Sequence, residues 1–286
     1  MNDKDYKSPK LVVKDHSVSG EMFELIYNKK LDFLETKPQP TLDKLSDYYK
    51  SEDYISHTDS KRNLFETTYQ FIKKIALKKK LKLINTYSKS GKVLLDMGCG
   101  TGSFLQIAQQ NGWKVLGIEP NQDARKIANN KIGDFVFDVD HLIKLEKERY
   151  DVITLWHVLE HLPNIEVHIK IFKRLLKQNG TLIIAVPNYK SYDAQFYKNH
   201  WAAFDVPRHL WHFSKTAISK LVALENMKVI KTYPMLFDAF YVSLLSEKYK
   251  TGNMNPVRAF WIGLFSNLKG IQTKEYSSII YCIKKA

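Results

Sequence analysis

The run Val93-Leu94-Leu95-Asp96-Met97-Gly98-Cys99-Gly100-Thr101-Gly102 constrains this chain more than any other segment. An apolar strand leads into three alternating glycines and then into an amphipathic helix. Glycine permits the dihedrals of a tight strand-to-helix turn and lets a ligand lie directly against the main chain. Around this turn, strand-type runs at 92–97, 114–118, 135–137, 150–156 and 180–186 alternate with helical patterns at 102–111, 122–130 and 165–176. Such alternation predicts an α/β fold with a mostly parallel sheet covered by helices on both faces. A helix at 215–224, a strand at 227–232 and a closing strand at 277–283 follow. Ahead of the core, apolar residues from Leu64 to Ile84 recur at helical spacing and predict a long helix over 59–87.

With 286 residues, 44% hydrophobic and 26% charged, the chain can bury a sizeable core. No run reaches the roughly 18 to 20 apolar residues of a bilayer-spanning helix, and the first ten residues lack the apolar stretch of a secretory signal. A cytoplasmic location is therefore expected. Cys99 and Cys282 are the only cysteines, too few for a disulfide framework or a cysteine zinc site. The net charge of +14 admits nucleic acid, an acidic membrane surface or an anionic substrate without choosing among them. Lys73, Lys74, Lys78, Lys79, Lys80 and Lys82 cluster around one helix without forming a stripe, which reads as a solvated face.

The glycine turn admits two ligands. Glu119 ends the next strand about 20 residues on, where an acid grips a ribose in dinucleotide-binding proteins, so a nicotinamide-dependent oxidoreductase is one reading. Against it, the third glycine of that fingerprint would fall at Ser103. Asp96, two residues before the first glycine, also suits the ammonium and sulfonium of S-adenosylmethionine (SAM) better than a pyrophosphate.

Asp96-x-Gly98-x-Gly100-x-Gly102 with Glu119-Pro120 resembles the cofactor motifs of class I SAM-dependent methyltransferases over about residues 90–235. A second segment, Tyr150 to Pro163 (YDVITLWHVLEHLP), is similar to the fourth strand and following loop of small-molecule methyltransferases, and Asn179 to Asn188 (NGTLIIAVPN) resembles their fifth strand. The resemblance implies a Rossmann-like seven-stranded sheet whose last strand, Ser277 to Ile283, inserts antiparallel beside the fifth. It implies SAM as cofactor and methyl transfer to a small-molecule acceptor by in-line displacement. Gly98, Gly100 and Gly102 would line the methionine and ribose portions, Asp96 the amino-acid end, and Glu119 the ribose hydroxyls. Asp138, in competition with Asp140, would sit near the adenine amine, and Trp156 and His157 are further cofactor-binding candidates.

Chemistry is expected in loops at the carboxyl ends of the strands. His157 to His161 is similar to the Glu-x-x-Glu-His segment with which some ubiquinone-type O-methyltransferases bind magnesium. Here His157 replaces the first acid, and magnesium prefers carboxylate and water to imidazole, so no metal is expected and Glu160 and His161 read as a locally hydrogen-bonded pair. Asp205 to Ser214 (DVPRHLWHFS) resembles a segment of many methyltransferases of this group. His161 and His209 are the candidate bases, with activity expected to rise through about pH 6 to 7, the ordinary imidazole range. Arg208 either grips an anionic acceptor or pairs with Asp205.

Residues 1–58 read as an N-terminal arm, similar to the start of a subgroup with a cysteine zinc ribbon; Pro38, Pro40, Tyr48 and Tyr49 match and the cysteines are absent. Residues 59–286 read as the methyltransferase domain, with 187–214 a lid over the acceptor. Residues 236–268 read as an insertion that shapes the acceptor pocket or makes a homodimer contact. Nucleic-acid binding is the third reading, but neither it nor the oxidoreductase accounts for the two downstream motifs.

Overall fold

The computed structural model describes residues 11–41, 44, 46–49, 64–88 and 91–286. Seven strands form the central sheet. In chain order they are β4 (Val93–Met97), β5 (Lys114–Ile118), β6 (Val136–Phe137), β7 (Tyr150–Trp156), β8 (Leu176–Pro187), β10 (Met227–Pro234) and β11 (Ser278–Lys285). Their spatial order is β10-β11-β8-β7-β4-β5-β6. The five strands from β8 to β6 are parallel, while β11 runs antiparallel to both β8 and β10. The closing strand thus inserts beside the fifth strand of the core, as the resemblance implies.

Successive strand residues point to opposite faces, and both faces are covered. On one side Leu95, Ile153, Leu182 and Ile184 pack with Ile169 and Phe172 of helix α4 (Ile165–Leu175) and Ile218 and Leu221 of α6 (Lys215–Ala223). On the other, Leu94, Val152 and Ile183 pack with Ile84 of α1 (Leu64–Tyr87), Leu105 and Ala108 of α2 (Ser103–Gln110), and Ala128 of α3 (Gln122–Ile132). Side-chain caps set where helices begin: Asn121 accepts the N–H of Ala124 (2.9 Å) ahead of α3, and Ser214 that of Ala217 (3.0 Å) ahead of α6. No helix among the described residues is long and apolar enough to cross a membrane.

Within the segment read as an N-terminal arm, the described residues are regularly paired and contribute to the core. The segment holds three strands, β1 (Leu11–Lys14), β2 (Met22–Asn28) and β3 (Phe33–Lys37). A two-residue strand β9 (Trp211–His212) completes an antiparallel sheet of order β1-β2-β3-β9. Each strand is too short to show a sustained period, and its last partner lies far along the chain. Val13, Phe23, Leu25 and Leu34 form a third core with Tyr197, Trp201 and Phe204, while Leu31 and Phe33 join the main one.

The stretch 187–214, read from sequence as a lid, contains α5 (Tyr192–Tyr197) and β9 and is largely buried. The insertion consists of two helices packed on each other, α7 (Asp238–Thr251) and α8 (Pro256–Thr273). Buried carboxylates tie these parts together. Asp193 accepts from Trp201 Nε1 (2.7 Å), Ser266 Oγ (2.6 Å) and Ser277 Oγ (2.7 Å). Glu247 accepts from Tyr197 Oη (2.9 Å).

Asp32 joins the small sheet to the large one. Its carboxylate accepts from Tyr27 Oη (2.9 Å) and Ser214 Oγ (2.7 Å) and pairs with Lys190 Nζ (2.7 Å). Burial would raise its pKa, but these three partners outweigh that and hold it below the usual carboxylate value. A depressed folded-state pKa gives stability that is present above the unfolded pKa and lost as pH falls through the folded one. We expect Asp32→Ala to lower unfolding free energy by about 2 to 3 kcal/mol at neutral pH. Denaturant melts should show that deficit shrinking as the buffer is acidified below pH 4; a deficit independent of pH would assign the loss to packing.

Candidate functional site

The turn from β4 to α2 is left-handed at every glycine: φ is 62° at Gly98, 54° at Gly100 and 74° at Gly102. The three have different reasons to lack a side chain. A Cβ on Gly98 would stand 2.5 Å from Val158 Cγ2, and one on Gly102 would stand 2.9 Å from Ala128 Cβ, so both are required by packing. A Cβ on Gly100 would meet nothing within 4 Å. Gly100 therefore presents bare backbone to open space, which is the feature a ligand needs.

Glu119, just past β5, is 4% exposed. Its Oε2 accepts the Gly100 N–H (2.9 Å) and its Oε1 the Asn121 N–H (3.0 Å), so the acid predicted to hold a ribose also holds the glycine turn. Burial pushes its pKa up, against the pull of these two N–H donors. Each oxygen retains a lone pair for a further donor.

Asp96 is buried at the end of β4 and accepts from Thr154 Oγ1 at 2.5 Å. Burial pushes its carboxyl up to about 7, opposed by the Thr154 hydroxyl and the Lys80 ammonium. Lys80 of α1 lies 4.5 Å from the ring centre of Trp156, and burial lowers its pKa against the pull of Asp96 and Asp238. Trp156 meets Phe104 edge-on (5.7 Å), and its indole N–H is buried without a hydrogen-bond partner. Asp138 lies past β6, exposed, with Oδ1 accepting the Asp140 N–H (3.1 Å) as the cap of a 3-10 turn, Val139–Lys144.

His157 sits at φ 57°, with Nε2 3.0 Å from Asp238 and Nδ1 3.4 Å from Glu160. Burial alone would lower its pKa, but the neighbouring carboxylates of Asp238 and Glu160 raise it to about 10. It is thus an imidazolium clasp between the loop after β7 and helix α7. Glu160 is 1% exposed, and its neighbours His157, His209 and His161 overcome the effect of burial and hold its pKa below the usual value.

The structure brings the two candidate bases together. The rings of His161 and His209 lie 4.5 Å apart, edge to face. Burial, the adjacent His161 and, less strongly, His212 push His209 well below the ordinary imidazole value. A rise in activity through pH 6 to 7 is therefore not expected from His209. Arg208 pairs with Asp205 and donates to Ser17 Oγ (3.1 Å), pinning the 187–214 segment to the N-terminal sheet. Three residues were missed from sequence: Lys80, lost among neighbouring lysines; Asp238, inside the insertion; and Tyr49, whose hydroxyl lies 2.9 Å from His161 Nδ1. A hollow lined by Lys147, Lys170, Lys173, Arg174 and Lys285 together with Glu148 and Glu225 lies at the opposite, amino-terminal ends of the parallel strands and carries none of these groups.

A seven-stranded sheet of this order, with a glycine turn and an acid at the carboxyl ends of its first two strands, defines a class I methyltransferase fold. A family described as "Methyltransferase domain" matches residues 61–232. The chain belongs to that family. It is 26% identical over 173 residues to a ubiquinone biosynthesis O-methyltransferase of Azoarcus sp. (strain BH72), covering 52% of this chain and 74% of that protein. It is 35% identical over 109 residues to an uncharacterized methyltransferase of Geobacillus sp. (strain WCH70), covering 36% and 51%. The chain thus spans about half the length of several curated relatives. Among solved structures, magnesium protoporphyrin IX methyltransferase from Synechocystis PCC 6803, with bound S-adenosylhomocysteine, superposes with a TM-score of 0.55 at 17% identity. That match covers 84% of this chain and 97% of the other. The oxidoreductase and nucleic-acid readings are not favoured.

Because a Gly98 side chain would collide with Val158, Gly98→Ala should destabilise the fold by about 1 to 3 kcal/mol. Adding Val158→Ala should restore part of that loss in thermal melts. If the second substitution only adds to the damage, the left-handed backbone and not the collision carries the cost.

Proposed function

We propose that the chain transfers the methyl group of SAM to a small-molecule acceptor, with SAM lying along Gly98, Gly100 and Gly102. The observation that carries this is the open face of Gly100 beside the buried Glu119 carboxylate. Glu119 would accept from the ribose hydroxyls. The carboxylate of Asp96 would gain from the ligand's ammonium, since an added cation offsets the burial that now raises its pKa. Trp156, with its unpartnered indole N–H, His157 and the more distant Asp138 complete the proposed cofactor contacts. When bound, SAM supplies an electrophilic methyl; the protein aligns the acceptor and excludes water.

The acceptor end is proposed at Glu160, His161 and His209, the polar groups grouped beyond β7 and β8, with 187–214 forming its wall. The names of the matched O-methyltransferases support a hydroxyl acceptor. A homodimer belongs to the same proposal. Its surface would be the exposed apolar side of α8, carrying Phe260, Trp261, Phe265 and Leu268, and sedimentation of the purified chain tests it.

Titration calorimetry tests the cofactor site. Wild type should bind SAM and S-adenosylhomocysteine, and Glu119→Gln should weaken both about 10- to 100-fold through loss of charge-assisted hydrogen bonds. Heat from NADH with none from SAM would overturn the proposal.

A further inference from the structure

Glu160, His161 and His209 each offer one ligand atom, and the three atoms lie within 4.8 Å of one another. Glu160 is the anomaly among them. Both of its carboxylate oxygens are buried without a hydrogen-bond partner, a costly state for an acid. The nearest counter-group, His157 Nδ1, stands 3.4 Å away, longer than a good charge-assisted bond, and the other nitrogen of that ring is held by Asp238.

Both remaining imidazoles are oriented as ligands are. His209 Nδ1 donates to the Ala203 carbonyl at 2.9 Å, and His161 Nδ1 lies 3.1 Å from the Arg208 carbonyl and 2.9 Å from the Tyr49 hydroxyl. These contacts occupy Nδ1 and leave Nε2 of each ring available. A backbone carbonyl on the far nitrogen is the usual support for a metal-binding histidine, since it fixes tautomer and ring direction. Asp205 Oδ2, at 3.7 Å from His209 Nε2, is outside hydrogen-bond distance.

We propose that Glu160, His161 and His209 bind a divalent transition metal such as zinc, manganese or iron. The proposal rests on the reading that the acceptor end lies at this cluster. Two nitrogens and one carboxylate suit a borderline ion, whereas magnesium takes oxygen ligands. The set also differs from the Glu-x-x-Glu-His arrangement: residue 157 takes no part, and the third ligand comes from the loop after β8. Such a site departs from the sequence-based expectation of no metal. Three protein ligands would leave a position for an acceptor oxygen, whose proton the metal would make easier to lose to solvent water. The two histidines then act by holding the ion rather than by taking a proton.

The test is calorimetry and cobalt absorption on tag-free full-length protein stripped with chelator. Wild type should bind one zinc or cobalt ion per chain, cobalt should give visible bands of a low-coordinate site, and magnesium at the same concentration should give no heat. Glu160→Gln and His209→Gln should each weaken zinc binding at least about 10-fold while SAM affinity stays within about twofold. Circular dichroism checks that both variants fold; if either does not, His161→Gln, at a less buried ring, replaces it. SAM binding without transition-metal binding overturns this proposal alone, as does zinc binding that all variants retain. Absence of SAM binding overturns the cofactor reading on which the function rests.

Discussion

The site depends on one backbone constraint, the left-handed turn by which β4 becomes α2. Three positive φ values within five residues would strain any side chain but glycine. The turn is held from outside by Glu119, whose two oxygens take the N–H groups of Gly100 and Asn121. One buried carboxylate thus links the carboxyl ends of β4 and β5 and remains beside the exposed backbone of Gly100. Packing closes the turn on its other sides, with Val158 against Gly98 and Ala128 against Gly102.

Charges at the strand ends are arranged by a related logic. Asp96 and Glu119 are acids whose pKa values burial raises, and both face the glycine turn. An arriving cation is therefore favoured there, and a pyrophosphate is not. Just past β7, His157 is held positive by Asp238 and Glu160 and locks α7 onto the core. The two groups so differ in character: buried acids beside the glycine turn, and beyond β7 imidazoles around a carboxylate without a hydrogen-bond donor.

The N-terminal sheet and the helical insertion are fastened to the core by buried acids. Asp32, Asp193 and Glu247 are buried carboxylates, each joining elements far apart in the chain. A segment pinned in this way is a fixed boundary, in which Asp32 and Asp193 have both oxygens hydrogen-bonded and Glu247 has one. Glu160 differs from all three in that neither of its oxygens has a hydrogen-bond partner.

The sequence alone determined the central sheet, because buried strands and amphipathic helices write their periods locally and glycine is demanded by backbone geometry. It singled out Asp96, Gly98, Gly100, Gly102, Glu119, His157, His161 and His209 one by one. The β1–β3 sheet was not legible, since strands this short need a partner, β9, that only folding delivers. Neither was the pairing of His157 with Asp238, the placement of Lys80 over Trp156, or the meeting of Glu160, His161 and His209. Those depend on distances between loops from different strands, and no local pattern encodes them. Burial is likewise a property of the assembled protein: it is what removes His209 from the ordinary imidazole range and leaves Glu160 without a hydrogen-bond donor.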